Sequence, residues 1–235
     1  MLIDCGEEES VSDVIHLLKK QHIRHIDLVL GTHPHSDHMG GMGRILNAFD
    51  VDTLLVSPVP EELVPEDKFY REMLEAAQNR GTAISPVTDG QVLEKGNIQV
   101  KLLLHCIDPD NLNNCSVCTV ITCGSVSFLL TGDAEEDEEE ALLRSWQLDE
   151  VNVYKAGHHG SSTSSGEEFL AVISPETAVI SCGSGNTFAH PNDETISRLK
   201  KYTSGIYRTD FCGTITIESD GSKFAVRTER SIYDN

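Results

Sequence analysis

The 235-residue sequence has no run of about 18 or more apolar residues, which excludes a membrane-spanning helix on length alone. Basic residues are scarce: 18 Lys plus Arg stand against 38 Asp plus Glu, a formal net charge of −20. A chain this acidic opposes loose, phosphate-driven binding to long nucleic acid, and a phosphate-bearing substrate would need a local positive device such as a metal. The opening residues, Met1-Leu2-Ile3-Asp4-Cys5-Gly6, contain neither a basic segment nor a long apolar one, so no secretion signal is expected and the chain reads as cytoplasmic. Seven scattered cysteines, an odd number, are not a disulfide framework, and reduced thiols are expected. Cys115-x-x-Cys118 lacks a second ligand pair and runs into a strand-like segment, which argues against a zinc or redox role.

What is present suffices for one sizeable core: 39% hydrophobic and 24% charged residues predict a single domain over residues 1–235. Val11, Val14, Ile15, Leu17 and Leu18 recur at helical spacing, and Ile26 to Leu30 is a short apolar run stopped by Gly31, so helix then buried strand. The alternation returns with Met39 to Phe49 helical, Val51 to Val56 extended and Asp67 to Arg80 helical. From Gly90 to Leu130 the pattern is a meander, with strands at Gln91 to Leu93, Ile98 to Leu104, Ser116 to Thr122 and Val126 to Leu130. Beyond Asp133 come helix Glu135 to Trp146, strand Val151 to Tyr154, helix Glu167 to Ile173, strand Thr177 to Ile180 and helix Asn192 to Lys201. Gly213 to Glu218 and Lys223 to Val226 close as a hairpin. Mixed strands flanked by helix-strand units predict two sheets packed face to face with helices outside. The acidic run Glu135 to Glu140 falls at a helix start, where carboxylates favour the positive end of the dipole, and reads as a solvated first turn.

The chemistry concentrates in loops. His33, His35, His38, His158, His159 and His190 all follow a predicted strand or precede a helix. In Thr32-His33-Pro34-His35-Ser36-Asp37-His38-Met39-Gly40-Gly41, an extended His33-x-His35 pair points both imidazoles to one side, where they can share a metal. Asp37 and His38 then turn with the starting helix toward a second metal, at the ~3.5–4 Å spacing of two-metal hydrolytic sites. Such imidazole and carboxylate donors suit zinc, manganese or iron. A second half follows: Thr131-Gly132-Asp133 ends one strand on an aspartate, and Gly157-His158-His159-Gly160-Ser161 ends another on histidines.

His33-x-His35-x-Asp37-His38 resembles the signature of the metallo-β-lactamase superfamily. Asn113-Asn114-x-Ser116, Thr131-Gly132-Asp133, Gly157-His158-His159-Gly160-Ser161, Ile180-Ser181-Cys182-Gly183, His190-Pro191 and Arg208-Thr209-Asp210 resemble, within it, the hydrolase domain of the ComEC competence proteins. The resemblance implies a four-layer αβ/βα sandwich with a dinuclear centre of two divalent ions, zinc or manganese. By position it assigns His33 and His35 to one metal, Asp37 and His38 to the other and Asp133 as the bridge; of the adjacent pair, His158, first after the strand, is favoured as the remaining ligand, with His159 supporting the ligands or facing the substrate, an order the sequence leaves open. The histidine that many relatives place before the bridging aspartate has no strong counterpart here. His105 reads as structural, and Asn114 becomes the polar candidate at that station. The segment Asp4-Cys5-Gly6 resembles the family's Asp-x-Gly strand end, before which one or two strands are expected and missing. Three expectations follow: the protein begins further upstream, a partner or an oligomer supplies that edge, or the fold tolerates an exposed edge.

The expected chemistry is hydrolysis by a metal-activated water oriented by Asp37 and Asp133, most directly on phosphodiesters, as a nuclease or phosphodiesterase. The substrate would be a small phosphate ester or a single-stranded nucleic acid. His190 is the candidate donor to a leaving group, and Ser161, Ser162 and Thr163 are candidate substrate contacts. Two other readings stand beside this: a carbonyl hydrolase of the lactamase or lactonase type, and a non-catalytic metal-binding assembly module.

Overall fold

The computed structural model describes residues 1–60, 63–106 and 110–231. The chain divides into two compact units, Met1–Val87 with Asp108–Val117, and Thr88–Ile107 with Cys118–Asn235.

The first unit is a four-stranded sheet in chain order: β1 (Leu2–Ile3), β2 (His25–Gly31), β3 (Asp50–Val56) and β4 (Ala83–Pro86), all parallel. Parallel neighbours require crossovers, and helices supply them: α1 (Val11–Lys20), α2 (Ser36–Met39) with α3 (Met42–Ala48), and α4 (Lys68–Arg80). Val11, Ile26, Val29, Met42, Ile45, Leu46, Leu54 and Met73 bury together as its core. The continuous helix expected over 39–49 is broken at Gly40-Gly41. A Cβ on Gly41 would stand 2.4 Å from Val11 Cβ, and Gly41 N–H donates to Gly6 O at 2.9 Å. The break lets the segment after β1 run beside α2, where Cys5 N–H donates to His38 O at 2.9 Å.

The second unit carries a seven-stranded sheet. β5 (Val92–Lys95), β6 (Ile98–Leu103), β7 (Cys118–Cys123) and β8 (Val126–Leu130) form an antiparallel meander. β9 (Val153–Lys155), β10 (Thr177–Ile180) and β11 (Gly205–Arg208) extend it in parallel. The parallel crossovers are α5 (Glu136–Ser145), α6 (Glu167–Ile173) and α7 (Asp193–Tyr202), packed through Leu129, Tyr154, Phe169, Leu170, Ala178, Ile180 and Leu199. After a single turn, α8 (Thr209–Cys212), the hairpin β12 (Ile215–Ser219) and β13 (Phe224–Thr228) forms a separate ribbon. Among the described residues no helix is long and apolar enough to cross a membrane.

Two expectations are corrected here. The acidic run is not all solvated: Glu138 and Glu139 are 0% and 1% exposed. Glu138 accepts from His105 N–H at 3.1 Å, and Glu139 accepts from Ser165 and Gly166 N–H at 2.7 and 2.8 Å. Nor are all thiols reduced, since Cys106 and Cys115 are disulfide-bonded while Cys5, Cys118, Cys123, Cys182 and Cys212 are free.

Candidate metal centre

In the first unit β2 ends at Gly31 and the chain turns through Thr32 to His35 before α2 begins, with Met39 N–H donating to His35 O at 2.9 Å. Asp4, at the end of β1, organises this turn. Its Oδ1 accepts from Thr32 N–H at 2.8 Å, and its Oδ2 lies 2.9 Å from Thr32 Oγ1 and 2.8 Å from His38 Nδ1. Burial pushes the Asp4 carboxyl up, but the hydrogen bond and charge of His38, the Thr32 amide and His33 outweigh it and hold Asp4 below its ordinary range. A carboxylate only accepts, so His38 carries its proton on Nδ1 and its lone pair on Nε2. Thr32 Oγ1 gives its one proton to Asp4 and can then accept from His33 Nδ1, 3.2 Å away; a proton held there leaves the His33 lone pair on Nε2.

His33 Nε2 is 3.0 Å from His35 Nδ1, and the His33 and His38 ring centres are 4.2 Å apart. Asp37 Oδ2 lies 4.0 Å from His38 Nε2. The three imidazoles and Asp37 are thus gathered at one turn. Asn114 is buried in the 3₁₀ turn Leu112–Cys115, and the residue just beyond that turn, Ser116, puts its Oγ 3.3 Å from His33 Nδ1.

In the second unit Asp133, 2% exposed, follows β8, and the Gly157–Gly160 turn follows β9. His159 Nε2 is 3.4 Å and His158 Nε2 3.9 Å from Asp133 Oδ2. The two histidines differ in their anchors. His159 Nδ1 donates to the Ser181 carbonyl at 2.8 Å, so its lone pair sits on Nε2, toward Asp133. His158 Nδ1 lies 3.3 Å from both Glu135 Oε1 and Thr163 Oγ1.

Both histidines have positive φ, 46° and 54°, a left-handed conformation that costs a non-glycine residue about 1–3 kcal/mol. Two such residues in a row persist only where the surroundings enforce them. Here His158 N–H donates to Gly132 O at 3.2 Å and Ser161 N–H to His158 O at 2.8 Å. At Gly160, with φ 81°, a Cβ would meet Pro191 Cβ at 2.5 Å.

His190 packs its ring 5.6 Å from His158, and its Nδ1 is buried with no hydrogen bond among the described residues. Burial, then the like charges of His158 and His159, holds its pKa below the ordinary value. Ser161 Oγ is 3.1 Å from Thr163 Oγ1, which donates to Glu135 Oε1 at 3.0 Å, and Ser162 N–H donates to Asn192 Oδ1 at 2.7 Å. This loop is held from beneath by residues that sequence reading missed. Glu139 accepts from the two amides above, and Arg198 donates to the Ser162, Ser164 and Ser165 carbonyls at 2.9, 2.8 and 3.0 Å. The missed role of Asp4 did have a signal, the Asp4-x-Gly6 strand end.

The donors fit a divalent metal of the zinc, manganese or iron type. They are imidazoles and carboxylates, and His33, His38 and His159 are each anchored through Nδ1, the arrangement that aims a histidine at a metal.

The chain belongs to the metallo-β-lactamase superfamily, whose family profile matches residues 1–184. Within it the chain is similar to competence proteins: it is 34% identical over 203 residues to ComE operon protein 3 of Bacillus subtilis and 29% over 226 residues to competence protein ComA of Neisseria gonorrhoeae. These alignments cover 86% and 92% of this chain but only 26% and 28% of the relatives, so the chain spans about a quarter of their length. Its fold matches the metallo-β-lactamase fold protein YhfI from Bacillus subtilis, with a TM-score of 0.52 at 14% identity, covering 87% of this chain and 82% of that one. Zn(2+)-bound PqqB from Methylobacterium extorquens matches with a TM-score of 0.52 at 13% identity, over 87% and 80% of the two chains.

Proposed function

We propose that this superfamily member is a metal-dependent phosphodiesterase whose centre holds two divalent cations, zinc or manganese. The observation that carries the reading is the Asp4–His38 hydrogen bond, which places the lone pair of a motif histidine on Nε2. At the turn after β2 the candidate ligands are His33, His35, Asp37 and His38. After β8 and β9 they are Asp133 and His159, whose Nδ1 anchor and proximity to Asp133 favour it over His158 as the ligand.

When bound, the cations would acidify a water and take up charge developing on the attacked group. The protein's own part is orientation. Asp4 and the Ser181 carbonyl keep His38 and His159 in the ligating tautomer. Asp37 holds the attacking water. His190 directs a ring nitrogen to the leaving group or a phosphate oxygen. His158, braced by Glu135 and Thr163, lines the substrate side. Asn114 and Ser161 are the further polar contacts. Phosphodiesters are favoured over carbonyl substrates by the similarity to competence proteins. Cations would also answer the repulsion between a −20 chain and a phosphate. The substrate would be a small phosphate ester or a single strand.

The test is hydrolysis of bis-p-nitrophenyl phosphate by wild type and Asp37→Ala, with zinc or manganese supplied, beside a chromogenic lactam. Phosphodiester turnover that Asp37→Ala lowers by about 100-fold or more supports the reading. Lactam turnover without phosphodiester turnover replaces it with the carbonyl hydrolase.

A further inference from the structure

Phe188 is 76% exposed, the most exposed large hydrophobic side chain among the described residues. A lone exposed apolar residue is ordinary; this one is held in place and joined to the site. Its ring lies nearly parallel to that of His190, at 19° and 5.9 Å between centres, and His190 in turn meets His158 at 5.6 Å. The row runs from solvent to the histidine turn beside Asp133. The supporting loop is fastened at Asn186: Oδ1 accepts from His190 N–H at 2.9 Å, and Nδ2 donates to the His190 and Gly183 carbonyls at 2.6 and 2.9 Å. A phenyl ring is thereby presented outward on an anchored loop, beside a nearly parallel imidazole and with much of its surface toward water.

We propose that Phe188 is a stacking platform for a nucleobase of the substrate. An uncharged aromatic surface suits a chain of net charge −20, because stacking on a base needs no positive residue, and every base has a π face. Bases paired within a duplex do not offer that face, so the platform takes a nucleotide or the unpaired end of a single strand. The inference rests on the phosphodiesterase reading and adds to it which part of the substrate is held.

Two measurements separate the inference from that reading. The first compares kcat/KM for thymidine 5′-(p-nitrophenyl phosphate) and methyl p-nitrophenyl phosphate, which share a leaving group and differ in the nucleoside. Stacking worth about 1–3 kcal/mol predicts that the ratio of the two falls roughly 5- to 150-fold in Phe188→Ala and in Phe188→Leu, and is kept in Phe188→Trp. An unchanged ratio in Phe188→Ala, or a ratio restored by leucine, overturns the platform. The second is quenching of a 2-aminopurine-labelled single-stranded oligonucleotide, which needs no turnover. Quenching lost in Phe188→Ala and kept in Phe188→Trp supports the platform even if both esters resist hydrolysis and the phosphodiesterase reading falls. Equal quenching by wild type and Phe188→Ala overturns it.

Discussion

Asp4 Oδ2 lies 2.8 Å from His38 Nδ1 across 34 positions of sequence, so the residue after the first strand decides which nitrogen of a motif histidine carries the proton. Replacing it with asparagine keeps the shape but permits the side-chain amide to donate to Nδ1, which moves the lone pair away from Nε2. Asp4→Asn is expected to lower zinc affinity by about 10- to 100-fold, measured by competition with a chromogenic chelator, while the far-ultraviolet dichroism stays unchanged. Unaltered affinity would remove Asp4 from the account.

The strain at His158 predicts a trade between stability and activity. His158→Gly releases a φ of 46° that glycine adopts freely, and it should raise stability by about 1 kcal/mol, read as an upward shift of the urea midpoint. The same variant should lose phosphodiester turnover. A lower midpoint would show that the imidazole's contacts with Glu135 and Thr163 outweigh the strain.

Glu139 gives a pH dependence with a definite sign. Burial raises its carboxyl to about 7 from an ordinary 4.5, against the opposing Gly166 and Ser165 amides. The titratable groups that face it are Glu136, Arg198, Tyr154 and Cys118. The folded chain therefore holds this proton more tightly than the unfolded one. Its contribution is present below pH 4.5 and is lost as pH rises through about 7. Relative to Glu139→Gln, wild type should lose about 3 kcal/mol between those limits, measured by urea unfolding at a series of pH values. Asp4 and Asp210, both held below their ordinary values, act in the opposite sense and at lower pH. Parallel pH profiles for the two proteins would contradict the buried ionisable carboxyl.

What could be read from sequence follows the range of the interaction. The turn from His33 to His38 is local, and its spacing alone brings imidazoles and a carboxylate to one bend. Most longer elements were legible for the same reason, because α4 and β2 carry their own periodicity or apolar run. β4 and β11 were not, since Ala83–Pro86 and Gly205–Arg208 are four residues each with no fully buried position. Asp4 was quoted as part of a motif, but its hold on His38 exists only once β1 lies beside β2. Glu138 and Glu139 looked solvated because nothing in a run of acids announces that backbone amides at 105, 165 and 166 will satisfy two of them inside. The contrast between His158 and His159 turns on a carbonyl at Ser181, which no local pattern encodes.

The central claim is that the two histidine turns hold metal, and its most direct measurement is the metal content of the purified protein after equilibration with zinc and with manganese, by elemental analysis. The account predicts about two ions per chain in wild type and a loss of about one in each of His38→Ala and His159→Ala, with His158→Ala close to wild type. Wild type that binds no ion, or a full complement kept by both His38→Ala and His159→Ala, would contradict it.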